Sequence, residues 1–289
     1  MSEAGDSIDE SPVPEALEPQ PDPPKPYPGF WQAISILLGY VVLQLVFLIP
    51  FFIADAVWKG NYSKHPIALL TAIVGPGLII ILRACSRQGI SFATLAGHWP
   101  GAFVLAPLLA TVVGLLFAEG PVIVWVGRRF PSLLASASQD YGSSRSLWWA
   151  FLVIVVAAPL IEESIFRGIM AKGFIARYQT TKGILLSALL FGAIHASVLK
   201  LIPTVALGLI LGWLYGKFKS IWPGVLAHAL NNSLAFLTIA AGVQAKKTSD
   251  LGHFTWGEPV ICVAGLLLLA YGIFTLRRLP DSAPTISES

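Results

Sequence analysis

Charge is scarce in this sequence. Of 289 residues, 12% are Asp, Glu, Lys or Arg, about half the ~25% usual in a soluble domain. With 55% hydrophobic residues and a mean hydropathy of +0.71, this excludes a soluble globular enzyme and a chain disordered throughout. An excess of basic residues is missing too. Lys and Arg number 19 against 16 acidic residues, a net charge of +3, too little for a nucleic-acid footprint, so no nucleic-acid partner is expected. There are only two cysteines, Cys85 and Cys262, which leaves no disulfide framework and no cysteine metal cluster. No internal repeat is visible, unlike the doubled architecture of many transporters.

Long apolar runs fill the space that charge leaves. A helix crossing the hydrocarbon core needs roughly 20 predominantly apolar residues. Eight segments qualify or come close: about 30–54, 67–83, 102–127, 147–174, 182–199, 201–216, 221–242 and 257–276. The breaks between them are polar or rich in Pro and Gly. The expected fold is an all-α, polytopic transmembrane bundle over residues 30–278, with a polar C-tail at 279–289.

Residues 1–29 differ. Seven of the 16 acidic residues and eight of the 21 prolines lie there. Such a stretch has no apolar surface to bury and reads as a disordered, partly polyproline II arm. It lacks the basic start and short apolar core of a cleavable signal. Eight spans place both termini on one side. That side carries ten Lys and Arg, the other eight, so the positive-inside rule favours both termini inside.

A charged side chain at bilayer depth costs about 2.5–3.5 kcal/mol on insertion scales, so those present need a partner or a wet cavity. The spans hold Glu119, Glu162, Glu163, Arg167, His195 and His228, with Asn231 and Asn232 beside them. In Glu162-Glu163-Ser164-Ile165-Phe166-Arg167, Glu163 and Arg167 are four apart and share a helical face, which sets them up as an ion pair. Glu162 is rotated by about 100° and is left without that partner. A buried carboxylate without a charge partner holds its proton more tightly, which suits a general base near neutral pH. Phe191-Gly192-Ala193-Ile194-His195 puts Phe191 and His195 on one face. His228-Ala229-Leu230-Asn231-Asn232 does the same for His228 and Asn232. Each pattern alone is also ordinary polar glue between helices. Together, two His, a Glu and an Asn on three helices can meet around one water, deprotonate it and donate to a developing oxyanion. Two His and one carboxylate can equally hold zinc. Ser164 has no His or acid arranged as its own triad. Glu119, just before Gly120-Pro121, is expected where the helix kinks or unwinds, either lining the same cavity or capping a broken helix.

The ordered set Glu-Glu-x-x-x-Arg, Phe-x-x-x-His and His-x-x-x-Asn, all complete here over roughly residues 145–245, resembles the CAAX protease and bacteriocin-processing family of intramembrane proteases, related to the type II CAAX prenyl endopeptidases. The resemblance implies an eight-helix membrane fold with a site inside the bilayer. It implies Glu162 as the base that activates water, His195 holding that water, and His228 with Asn232 orienting it or stabilising the oxyanion. Glu163 and Arg167 would position Glu162. If a metal such as zinc is bound, Glu162, His195 and His228 are its ligands; a metal-free Glu/His-activated water serves as well. The implied activity is that of an endopeptidase acting on a peptide or protein substrate in contact with membrane lipid, in the plasma membrane of a bacterium. The alternative is a non-catalytic scaffold or bacteriocin-immunity protein of the same fold. A proton-coupled transporter using Glu119, Glu162 and the histidines is a third reading.

Overall fold

The structure, a computed structural model, describes residues 25–130, 132, 147–195, 197–240 and 257–281. The expected arm up to residue 24 and the end of the C-tail from residue 282 lie outside the described residues. Nine helices account for nearly all of the described chain: α1 Phe30–Trp58, α2 Pro66–Gln88, a short α3 Phe92–Ala96, α4 Leu105–Arg129, α5 Leu147–Tyr178, α6 Thr180–Ala193, α7 Val198–Phe218, α8 Trp222–Ala240 and α9 Gly257–Arg278. No strand occurs among the described residues.

Seven of the eight expected spans each fall on one helix, displaced by a few residues at the ends; the fifth does not. Six of them, α1, α2, α4 (with the turn from Ala102 before it), α5, α7 and α9, are long and apolar enough to cross a membrane. The surface is that of an integral membrane protein. Leu38, Leu45, Phe52, Leu82, Phe117 and Leu267 are all exposed on helix flanks, where lipid rather than water can cover them. Trp31, Trp58 and Trp148, at or near helix ends, are the most exposed aromatics, as in an interfacial belt.

The fifth expected span, 182–199, is interrupted. Helix α6 stops at Ala193, and His195 stands just past its end. The backbone N–H of His195 goes to Gly192 O (3.2 Å) instead of Phe191 O, and its ring Nδ1 takes the Phe191 carbonyl at 2.9 Å. The side chain thus satisfies a carbonyl left over at the helix C-terminus. By contrast, α4 runs unbroken through Pro121, so the expected unwinding beside Glu119 does not occur. Neighbouring turns carry the helix past the missing N–H.

Helix α5 is central. Residues Glu163 to Ala171 are all buried, whereas α1 shows most of its length to the outside. One apolar cluster joins α1, α2, α5 and α6 through Leu37, Tyr40, Ile81, Ile161, Ile165, Phe166 and Phe191. A second joins α4, α7, α8 and α9 through Leu108, Val112, Leu211, Leu214, Ala227 and Leu276. Helices α4 and α9 lie backbone to backbone: a Cβ on Gly114 would fall 2.3 Å from the Leu269 nitrogen. The end of this pair is tied by Arg128, which donates to both Glu258 oxygens at 2.9 and 2.7 Å.

Two stretches of α5, Leu152–Ala157 and Ser164–Ala171, are π-helical. Such widened turns often mark functional sites. The Glu162-Glu163 pair sits between them. Each widened stretch has a carbonyl taken by a polar side chain from another helix: Asn232 Nδ2 donates to Ile154 O at 2.9 Å, and Ser187 Oγ to Phe166 O at 3.0 Å.

Candidate active site

The polar groups meet on the seam between the two apolar clusters. The anchor is the expected ion pair. Arg167 Nη1 lies 2.7 Å from Glu163 Oε1, both side chains fully buried. Arg167 Nη2 donates to the Gly208 carbonyl of α7 at 3.1 Å, and the guanidinium lies 4.5 Å from the Phe191 ring centroid. A buried charge survives only when paired and hydrogen-bonded. Arg167 has a carboxylate, a carbonyl and a ring face, and among the described residues only its Nε is without a partner.

Glu163 does more than neutralise Arg167. Its Oε1 also lies 3.1 Å from His228 Nδ1 on α8. A carboxylate only accepts, so Nδ1 carries the proton and the ring is turned. This directs Nε2 towards Glu162, whose Oε2 is 3.9 Å away. Room for the Glu163 side chain comes from Gly224, where a Cβ would sit 2.8 Å from Glu163 Oε2. The link between Glu163 and His228 is not visible in the sequence, because it crosses 65 residues.

Glu162 faces the other way, as its rotation from Glu163 requires. Its side chain keeps 16% exposure where Glu163 and Arg167 have none. Among the described residues no hydrogen bond holds it. Its charged surroundings are His228, His195, Glu163 and Arg167. His195 has its Nδ1 proton committed to the Phe191 carbonyl, so the neutral ring keeps an open lone pair on Nε2. Phe191 is the packing hub, 5.2 Å from the His195 ring, 5.5 Å from His228 and 5.1 Å from Phe166.

Asn232 reaches α5 one contact further on, at Ile154 O, which uses one of its two amide hydrogens. Asn231 contacts its neighbour Asn232 at 3.4 Å. Ser164 bonds back to Leu160 O at 2.7 Å and touches neither histidine. Glu119 does not join the group. Among the described residues one of its oxygens is buried on α4 without a partner, and no hydrogen bond or ion pair links it to Glu162, His195 or His228. Among the described residues no three His, Cys, Asp or Glu side chains are grouped to hold a metal ion; Glu162, His195 and His228 do not form a ligand set as they stand. Cys85 and Cys262 are free thiols on α2 and α9.

Residues 144–234, which contain all three motifs, match the family described as type II CAAX prenyl endopeptidase Rce1-like. The likeness to that family is confined to this segment, less than half of the chain. A second likeness falls in with it. The chain is 33% identical over 89 residues to a Bacillus subtilis (strain 168) protein described as "Putative membrane peptidase YdiL". That match covers 30% of this chain and 35% of the relative, so the chain matches about a third of the relative's length. The matched segment runs from α5 into α8, the helices that bear the polar site. Helices α1, α2, α4 and α9 surround it and lie outside the matched segment.

Proposed function

We propose that the protein is an intramembrane endopeptidase in which Glu162 activates a water molecule. The observation that supports this most is the 3.9 Å between Glu162 Oε2 and His228 Nε2. That gap is too wide for a direct hydrogen bond, and one water within 2.6–3.2 Å of both groups can bridge it. Glu162, the more exposed of the two glutamates, takes the proton as the water oxygen attacks the scissile carbonyl carbon. His195, through its open Nε2, accepts from the same water and fixes its lone pair towards the substrate. The negative charge passes to the carbonyl oxygen, where the second amide hydrogen of Asn232 donates to it, joined by His228 Nε2 when that ring carries a proton on both nitrogens. Collapse of the tetrahedral species breaks the C–N bond, and Glu162 returns its proton to the leaving nitrogen. Glu163 and Arg167 stay outside the proton path and hold His228 in register. Since the three strongest candidate ligands are not grouped to hold a metal, no step passes through one.

The substrate is a peptide or protein that reaches the site from the bilayer. Prenylated C-terminal peptides form the candidate class suggested by the matched family. The ten-to-eight distribution of Lys and Arg supports both termini on the cytoplasmic side of a bacterial plasma membrane.

The test uses the full chain in proteoliposomes with fluorogenic peptides, prenylated and plain. Wild-type protein is expected to cleave at least one set, and Glu162→Gln and His195→Ala to lose cleavage by about 10²–10⁴-fold at unchanged protein level. Wild-type rates in either variant remove the mechanism.

A further inference from the structure

We propose that the groove between the ends of α6, α7 and α9 binds the headgroup of an anionic phospholipid. The proposal is independent of the peptidase reading and uses none of its residues.

Three helix ends meet here: α6 begins at Thr180, α7 ends at Phe218 and α9 ends at Arg278. Between them lies a groove of about 270 Å³, lined by Thr180, Ile184, Trp213, Gly216, Lys217 and Arg277. The lining is ordered by depth. Thr180, Lys217 and Arg277 stand at the helix ends. Ile184 and Trp213 lie four residues further into α6 and α7, about 6 Å deeper. Polar groups above apolar walls match a phospholipid, headgroup over acyl chain. Gly216 keeps the groove open. A Cβ there would meet Ile184 Cδ1 at 3.4 Å and Thr180 Cγ2 at 3.6 Å, so a larger side chain would fill the space.

Charge sets the sign of the ligand. Lys217 Nζ donates to the Leu279 and Arg277 carbonyls at 2.9 and 3.3 Å and pairs with Asp281 at 2.6 Å. It ties α7 to the end of α9, and Asp281 offsets its charge. Arg277 differs. It is exposed, and among the described residues no ion pair holds its guanidinium. Lys182, Lys219 and Arg278 stand at the same three helix ends, and Asp281 is the one acidic residue there among those described. The positive-inside rule accounts for cations on one face. It does not account for an open groove with an unpaired guanidinium at its rim and apolar walls beneath. A guanidinium forks onto a phosphate, and basic pockets between membrane helices take anionic headgroups. A bound headgroup joins α9, outside the matched segment, to α6 and α7 inside it.

The experiment follows retention of phosphatidylglycerol and of acyl-matched phosphatidylcholine by the full chain in detergent, by native mass spectrometry. Wild type is expected to prefer phosphatidylglycerol by about fivefold or more, and Arg277→Gln to remove about fivefold of its affinity, the worth of one basic residue near a charged surface. Gly216→Leu, which leaves every charge in place, should lower it at least as far. Arg278→Gln is the control, because that guanidinium lies over the Phe274 ring at 4.0 Å and does not line the groove; it should change the affinity less than about twofold. Equal retention of the two lipids overturns the proposal. Equal losses in Arg277→Gln and Arg278→Gln overturn it too, since diffuse surface charge then suffices. Displacement of the lipid by an equal concentration of glycerol 3-phosphate assigns the groove to a soluble phosphate and overturns the lipid as its ligand. Should Gly216→Leu fail to fold, the two arginine variants at the surface decide.

Discussion

His228 and Glu163 are joined across two helices by a 3.1 Å contact between Nδ1 and Oε1, and through it one imidazole is held between two adjacent glutamates of different burial. Glu163 is enclosed and serves structure. Glu162 is partly open and is, in the proposed mechanism, the one that reacts. The two positions are therefore expected to give opposite phenotypes. Glu162→Gln should keep stability within about 0.5 kcal/mol, as for a change that removes no packed interaction. Glu163→Gln should lower it by about 3–5 kcal/mol, because Arg167 stays buried without its counter-charge. Unfolding of both variants in detergent micelles, beside cleavage assays, checks this; equal destabilisation would show that burial does not separate the two residues.

The Arg167 environment makes a second prediction. Arg167→Met leaves Glu163 charged in a dry seam and is expected to cost about 3–5 kcal/mol. Adding Glu163→Gln should restore part of the loss, since the remaining groups are then neutral. The double-mutant cycle is expected to give a coupling of about 0.5–3 kcal/mol, the range for residues in direct contact. Strict additivity would mean that the 2.7 Å pair contributes nothing.

Most of this architecture is legible in the sequence, for a simple reason. Lipid forces apolar residues onto every face of a spanning helix, so the eight runs and their breaks are visible without tertiary knowledge. The Glu163–Arg167 pair is legible as well, because four residues along one helix fix which groups meet. Contacts made across the chain are not. Nothing near His228 marks Glu163 as its partner, and nothing near Gly208 marks its carbonyl as an acceptor for Arg167. The two π-helical stretches of α5 are hidden too, and so are the bonds that Asn232 and Ser187 make to their carbonyls from α8 and α6. The end of α6 two residues before His195 is invisible for the same reason: hydropathy continues while the backbone turns.

Gly224 tests how tightly α8 presses on the site. A Cβ there would stand 2.8 Å from Glu163 Oε2. The carboxylate cannot simply swing aside, because Arg167 and His228 both hold its other oxygen. Gly224→Ala is thus expected to displace the pair, cost about 1–3 kcal/mol as overpacked interiors do, and reduce cleavage by tilting His228 away from Glu162. Thermal unfolding and kcat should fall together. A variant as stable and as active as wild type would show that the helices part without consequence.

Asn232 has two possible duties that a pair of substitutions can separate. One amide hydrogen satisfies the Ile154 carbonyl in the first π-helical stretch, and the other is assigned to the oxyanion. Ser187 has only the structural duty, at Phe166 O in the second stretch. Asn232→Ala and Ser187→Ala are each expected to cost about 0.6–1.7 kcal/mol, the range found for interhelical hydrogen bonds in membranes. Their effects on chemistry should diverge. Ser187→Ala should keep kcat within about twofold, whereas Asn232→Ala should lower it by about 10²–10³-fold, the cost of one oxyanion donor. If both variants lose activity in proportion to stability, Asn232 is a brace for α5, and His228 alone is left to meet the negative charge of the tetrahedral species.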